Sequence, residues 1–218
     1  MQTGRVTTEP IAEFFDRECC ASVHRLPDEG EESDALGREL LSALDVAGFA
    51  GGSALELGSG DGLLSRLLIS RGASSVTGVD LSPQSVVYAS SRAAAAGLGH
   101  RLSYRVADAS SVLLPPHDAV VSERVFCCFP DAPGLLANTL PLARSVYALV
   151  LPESRGLLGV VTHVIVAAEN AWRWLRRDPF RAYVHDVRLI ERTIRSAGFR
   201  RRVSRRHGHW RVLVYSRA

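Results

Sequence analysis

The sequence predicts an α/β domain: a seven-stranded, mostly parallel sheet with a terminal antiparallel hairpin and helices on both faces. Three observations predict it. Its 218 residues suffice for one sizeable core. From residue 53 onward, short apolar runs alternate with segments of helical period, the pattern of repeated βα units. The last two runs, "FRRRVSRR" and "HWRVLVYSR", meet at Gly208 in a turn too tight for a crossover helix, so they pair antiparallel.

Residues 1–10 read as a loose terminus. Residues 11–25 place Ile11, Phe14, Phe15 and Cys19 at helical spacing. "LPDEGEESD" (26–34) is an acidic linker, and 35–49 is a second helix closed by "GFAGG". Then "SALELG" is a strand, 62–71 a helix, "SVTGVDL" a strand, and 83–97 a helix ended by Gly97. "RLSYRVAD" and "DAVVSERV" follow as strands, 131–143 as a helix and "SVYALVLP" as the fifth strand. Residues 160–177 and 186–197 are helical, the second stopped by Gly198. The expected organisation is an N-terminal helical lid and linker over 1–34 and one main domain over 35–218. A helical cap is expected at about 152–185.

Composition narrows the function classes. Hydrophobic residues make up 46% and charged residues 22%, as in a soluble globular chain. "MQTGRVTTEP" carries no signal-peptide pattern, and no apolar run approaches a membrane span. A cytoplasmic protein with no membrane partner is expected. The longest apolar run, "GLLGVVTHVIVAA" (156–168), is short and reads as a core-facing helix. All 26 basic residues are Arg. Residues 1–170 hold 12 Arg against 20 acids, whereas 171–218 hold 14 Arg against 3 acids. That asymmetry suits either an anionic partner or a solvated basic face balancing the acidic part. The four cysteines form two vicinal pairs, Cys19–Cys20 and Cys127–Cys128, at spacings that match no zinc pattern. No metal is assigned.

"SALELGSGDGLL" (53–64) raises the chemical question: an acid, Glu56, precedes Gly58, Gly60 and Gly62. A dinucleotide turn needs G-x-G-x-x-G/A, and here the position of the third glycine is Leu63. A carboxylate on the strand repels a pyrophosphate but suits a ligand with a cationic end. Asp80 ends the second strand, where a carboxylate accepts ribose hydroxyls. Asp108 ends the third, where an acid and a neighbouring backbone N–H suit an adenine edge. Ribose, adenine and a cationic amino-acid end, without phosphate, describe S-adenosylmethionine.

Residues 53–125 resemble a class I S-adenosylmethionine-dependent methyltransferase of the bacterial small-molecule type. "LELGSGDG" is similar to that family's first motif, "GVDLSPQSV" to its second-strand acid and "VADAS" to its adenine segment. The resemblance implies a Rossmann-like sheet of seven strands and S-adenosyl-L-methionine as cofactor. It implies cofactor binding by Glu56, Gly58, Ser59, Gly60, Gly62, Asp80, Leu81, Asp108, Ala109 and Glu123. The layout is shared with magnesium-protoporphyrin O-methyltransferases, whose substrate is not carried over.

Methyl transfer is an in-line displacement on a sulfonium carbon, in which positioning does much of the work. A base is needed only where the acceptor carries a proton to remove. Candidate catalytic residues are Glu123, near the end of the fourth strand, and His185 in "FRAYVHDV". Candidate acceptor-lining residues are Phe14, Phe15, Cys127, Cys128 and His163. Phe14 and Phe15 are adjacent, so one is expected on the body and the other over the site. The expected partner is a small molecule. A nucleic-acid methyltransferase using the Arg-rich end is the first alternative. Against it stands "SERV" after the fourth strand, where base-amine methylases carry an "NPPY"-like tetrapeptide. A non-catalytic S-adenosylmethionine-binding protein is the second.

Overall fold

The computed structural model describes residues 8–23 and 31–218, with side chains described for 8–18 and 35–218. The element order is α1 (Glu9–Val23), α2 (Glu31–Val46), β1 (Gly52–Leu57), α3 (Leu63–Ser70), β2 (Ala73–Asp80), α4 (Pro83–Ala95), β3 (Leu102–Val106) and β4 (His117–Glu123). It continues with α5 (Ala132–Thr139), β5 (Ala143–Pro152), α6 (Gly156–Leu175), α7 (Val187–Ser196), β6 (Phe199–His207) and β7 (Trp210–Arg217).

The seven strands form one sheet in the order β3-β2-β1-β4-β5-β7-β6. The first five are parallel, and β7 lies antiparallel between β5 and β6. The predicted architecture is therefore the observed one. The order reverses between β1 and β4, and the crevice beyond their carboxyl ends is where open α/β sheets bind ligands.

Side-chain alternation splits the core into two layers. Leu55, Leu57, Val120 and Leu149 pack with α5 and α7. Ala54, Val121, Ala148 and Val150 pack with α2 and α3 on the other face. Strand parity then decides the site: Glu56 lies two residues after Ala54, and Glu123 two after Val121. Both carboxylates therefore face the α2–α3 layer.

Two expectations are corrected, and one strand carries an irregularity. Residues 31–34 belong to α2, not to a linker, and residues 24–30 lie outside the described residues. The 156–168 run is not core-facing: α6 buries only Gly159 and Thr162. In β6 a register shift between Arg201 and Val203 flips the strand, so Phe199 joins the α5–α7 layer while Val203 joins the other. Among the described residues, no helix is long and apolar enough to cross a membrane.

The arginine-rich end is tied into the fold. Arg201 pairs with Glu191 at 2.5 Å, Arg205 with Glu39 at 3.0 Å, and Arg211 with the buried Glu153. Arg202 donates to Ser216 Oγ at 2.6 Å.

Candidate active site

The glycine turn is a backbone device. Gly58, Gly60 and Gly62 have φ of 67°, 49° and 73°, a region that favours glycine. A Cβ on Gly58 would stand 2.5 Å from Val125 Cγ2, so the turn also needs the space. Gly58 N–H and Ser59 N–H both donate to Val79 O, at 2.8 and 3.1 Å, binding the turn to β2. Gly62 lines no cavity; its N–H donates to Ser59 O at 2.8 Å and it starts α3.

Asp80 is held from both sides. Its Oδ2 accepts from Gly60 N–H at 2.8 Å and its Oδ1 from Ser82 N–H at 2.9 Å. Burial pushes its pKa up, and those backbone donors pull it back. Ser82 caps α4, its side chain accepting from Ser85 N–H at 3.0 Å.

Two cavities meet at this turn. The larger, about 650 Å³, is lined by Asp80, Leu81, Ala107 and Ala109 at the strand ends. Beyond them its walls are mostly apolar: Phe14 and Phe15 of α1, Val125 and Phe129 after β4, Val166 of α6, and Phe180. The smaller, about 200 Å³, is lined by Glu56, Ser59, Asp61 and Glu123, with Gly37 of α2 and Leu67 of α3 on its far side. Gly58, Gly60, Glu123 and Arg124 line both.

The smaller cavity is acidic and under-satisfied. Burial pushes the Glu56 carboxyl well above its usual range, and the Glu123, Asp61 and Asp80 charges push it further. Ser65 Oγ donates to Glu56 Oε2 and opposes this. Burial raises Glu123 as well, with the Arg124 guanidinium acting against it. Glu123 Oε1 lies 3.2 Å from Arg124 but accepts no hydrogen bond, and the buried Ser59 Oγ has no partner. Arg124 itself sits at φ 59°, a strained conformation outside glycine, at the rim of both cavities. A cationic group with N–H donors fits such a set, and a phosphate does not.

Several sequence-predicted residues are placed otherwise than expected. Asp108 does not line the cavity: its Oδ1 accepts from Ser110 N–H at 2.8 Å and Ser110 Oγ at 2.6 Å, inside its own turn. Its Oδ2 accepts from Thr8 at 3.3 Å, which leaves the flanking Ala107 and Ala109 to face the cavity. His185 is also absent from the lining. Its Nε2 lies 2.9 Å from Phe126 O and 2.8 Å from Phe129 O, where it ties the 180–187 segment to the turn after β4. His163 is exposed, with Nδ1 2.7 Å from Gly159 O. Neither His185 nor His163 thus lines the larger cavity, where an acid/base or acceptor-lining role was expected of them.

Phe14 and Phe15 both line the cavity, contrary to expectation. Phe14 stacks on Phe180 with centroids 4.0 Å apart, and Phe15 meets Phe14 edge-on at 5.1 Å. Phe180 gives both rings one target, so neighbours about 100° apart on a helix converge. Cys127 and Cys128 line the same cavity with their Sγ atoms 3.8 Å apart. Cys19 and Cys20 lie outside the residues whose side chains are described. Among the described residues, no group of three or more His, Cys, Asp or Glu could hold a metal ion.

The sequence reasoning missed Asp61, Arg124, Glu169, Arg173, Phe180 and Trp210, all of which line a cavity. A signal for two of them existed. Thr162, Val166, Glu169 and Arg173 follow helical spacing, and the polar members of that stripe interrupt an apolar run. His163 is one position, hence about 100°, off the stripe.

A glycine turn at the switch point, an acid ending β2 and an acidic niche beside it make a site of the kind that holds a nucleoside in open α/β sheets. Residues 54–144 match the family model described as a methyltransferase domain. No curated protein matches the sequence. The structure is similar to magnesium protoporphyrin IX methyltransferase from Synechocystis PCC 6803 with bound SAH: TM-score 0.72, 18% identity, over 97% of this chain and 99% of that one. It is similar to geranyl diphosphate methyltransferase in complex with GPP and sinefungin: TM-score 0.64, 15% identity, over 83% and 77% of the chains. An S-adenosylmethionine dependent methyltransferase from Mesorhizobium loti gives TM-score 0.62 at 17% identity, over 83% and 96%. A methyltransferase-domain model thus matches the segment from β1 to the start of β5, and the chain as a whole shares the fold of these S-adenosylmethionine-dependent methyltransferases.

Proposed function

We infer that the enzyme methylates a small, largely apolar acceptor held in the larger cavity. The observation that carries this is the junction of the two cavities at Gly58, Gly60 and Glu123. The acidic niche suits the cationic amino-acid end of the cofactor, and Asp80 suits its ribose. Leu81, Ala107 and Ala109 would hold the adenine. Phe14, Phe15 and Phe180 would hold an acceptor on the side where the methyl group is supplied. α1 and residues 152–185 act as the acceptor cap, and Cys127 and Cys128 line its floor. The cofactor supplies an electrophilic methyl group on a sulfonium. The protein aligns the acceptor with it and excludes water.

Glu123 is the carboxylate placed where both cavities meet, and burial raises its proton affinity. It takes the acceptor's proton where the acceptor has one to lose. An acceptor with a large apolar body is consistent with neighbours named for magnesium protoporphyrin IX and for geranyl diphosphate, whose charged groups sit at one end or edge. The arginine-rich end needs no nucleic acid, since Arg201, Arg205 and Arg211 are paired with this chain's own acids.

The test is S-adenosylhomocysteine release on incubation with S-adenosylmethionine and a panel of apolar ring and prenyl compounds. Turnover with a panel member, lost on Glu123→Ala, supports the reading. Absence of turnover, together with steeply salt-dependent RNA binding, favours the nucleic-acid alternative.

A further inference from the structure

Helix α6 is apolar around almost its whole circumference, yet it is largely exposed. It carries two charged side chains over Gly156–Leu175, Glu169 and Arg173. Both turn to the cavity, where they pair with each other at 2.6 Å. The outward stripe of Leu157, Val160, Val161, Val164 and Trp172 follows helical spacing and carries no charge. Val160 is 60% exposed, Val164 63% and Trp174 71%. A helix apolar all round is ordinarily buried or in contact with lipid, and contiguous exposed apolar faces mark interaction sites.

The flanks select the occupant. Arg155 precedes the helix, and Arg176 and Arg177 follow it, all exposed. Arg176 stacks over the Trp172 ring at 4.6 Å. Tryptophan and arginine at the end of an apolar stripe is the composition of helices that lie in a membrane interface. A second copy of the chain is disfavoured by the same charges. Antiparallel pairing of two α6 helices would set Arg155 against Arg176 and Arg177, and parallel pairing would set those arginines against themselves. The stripe also reaches the site, because Ile165 is exposed on one side and lines the larger cavity on the other.

We propose that the outer face of α6 docks the enzyme on an anionic phospholipid surface, with the mouth of the acceptor cavity at the lipid boundary. The helix lies on the membrane and does not cross it, so the expectation of no membrane partner is revised to peripheral contact. The proposal goes beyond the methyltransferase reading, and its deciding readout, vesicle binding, needs neither cofactor nor acceptor.

The experiment is co-sedimentation of the whole protein with vesicles of phosphatidylcholine, alone or mixed with phosphatidylglycerol. Wild-type protein should pellet with the mixed vesicles, and less so as salt rises. Arg176→Gln with Arg177→Gln should weaken binding about fivefold per arginine. Val160→Gln with Val164→Gln should weaken it about tenfold or more. Both variants should keep the wild-type circular dichroism spectrum and S-adenosylhomocysteine affinity, because none of the four side chains lines the cavity. Protein that stays in the supernatant with mixed vesicles at low salt overturns the proposal. So does binding that neither variant changes. A concentration-dependent dimer that Val160→Gln and Val164→Gln abolish, in a protein that ignores vesicles, assigns the face to a second copy instead.

Discussion

Glu56 and Glu123 stand on neighbouring parallel strands, face the same helical layer and line one small cavity beside the glycine turn. Burial raises the cost of ionising both; the Glu123 charge adds to it at Glu56, where the effect is largest, and the Asp61 charge adds to it at Glu123. A site that is unfavourable to itself when empty is favourable to a cation. Gly37 brings α2 against the pair: a Cβ there would stand in ordinary contact, 3.4 Å, with Glu123 Oε2.

Glu56→Gln should therefore stabilise the ligand-free protein and weaken cofactor binding together. Removing a buried, repelled charge is expected to contribute about 1 kcal/mol, or about 2–4 °C in a domain of this size. Loss of a charged acceptor should weaken S-adenosylhomocysteine binding by about 1.5–3 kcal/mol. Thermal melts and calorimetry check both halves. A variant that melts lower while binding normally removes Glu56 from the site.

Cofactor affinity should rise with pH. Glu56, Asp80 and Glu123 all have raised proton affinity in the free protein. A cationic ligand favours their ionised forms, so binding releases protons, and affinity climbs as pH rises through those raised values. Stability of the free protein runs oppositely. A carboxyl whose folded pKa exceeds its unfolded one binds more protons when folded, so stability falls as pH rises through that window. Calorimetry in buffers of different ionisation enthalpy measures the proton release; proton uptake on binding would contradict the scheme.

Asp80→Ala should cost about 1.5–3 kcal/mol of S-adenosylhomocysteine affinity, through lost hydrogen bonds to a carboxylate. The Gly60 and Ser82 N–H groups would also lose their acceptor, so the glycine turn should loosen. Amide exchange at Gly60 should then accelerate. Unchanged affinity would place the ribose elsewhere.

The stacked Phe14 and Phe180 rings should couple by about 0.5–1.5 kcal/mol in a double-mutant cycle on urea unfolding. The single Phe180→Ala variant should also weaken acceptor binding more than cofactor binding, because Phe180 belongs to the cap wall. Equal loss of both would argue for general destabilisation.

Arg211→Ala should destabilise the fold by about 3 kcal/mol, since it strands a buried carboxylate. Glu153 is 1% exposed and pairs with Arg211 beside the cavity floor formed by Pro152, His209 and Trp210. Adding Glu153→Gln to the Arg211→Ala variant should recover part of the loss, as read by denaturant midpoint. No recovery would show that the arginine acts through packing alone.

The strands, their order of appearance and the antiparallel hairpin were legible in the sequence because alternation and turn length are local properties. So was the glycine turn with its flanking acids. The interval from Glu56 through Gly58, Gly60 and Gly62 to Asp80 is set by one strand, one turn and one helix, and each constrains its residue types on its own. What lies around the acceptor was not legible, because it depends on where helices from distant parts of the chain meet. The direction of α6 chose Glu169 and Arg173 over His163, a difference of one helical step. Phe180 brought two adjacent phenylalanines to one side. Two carbonyls after β4 took up His185, and the turn at Ser110 took up Asp108. Hydrophobicity alone also read α6 as core. Only packing reveals which apolar surface is covered, and among the described residues it leaves one face of that helix exposed.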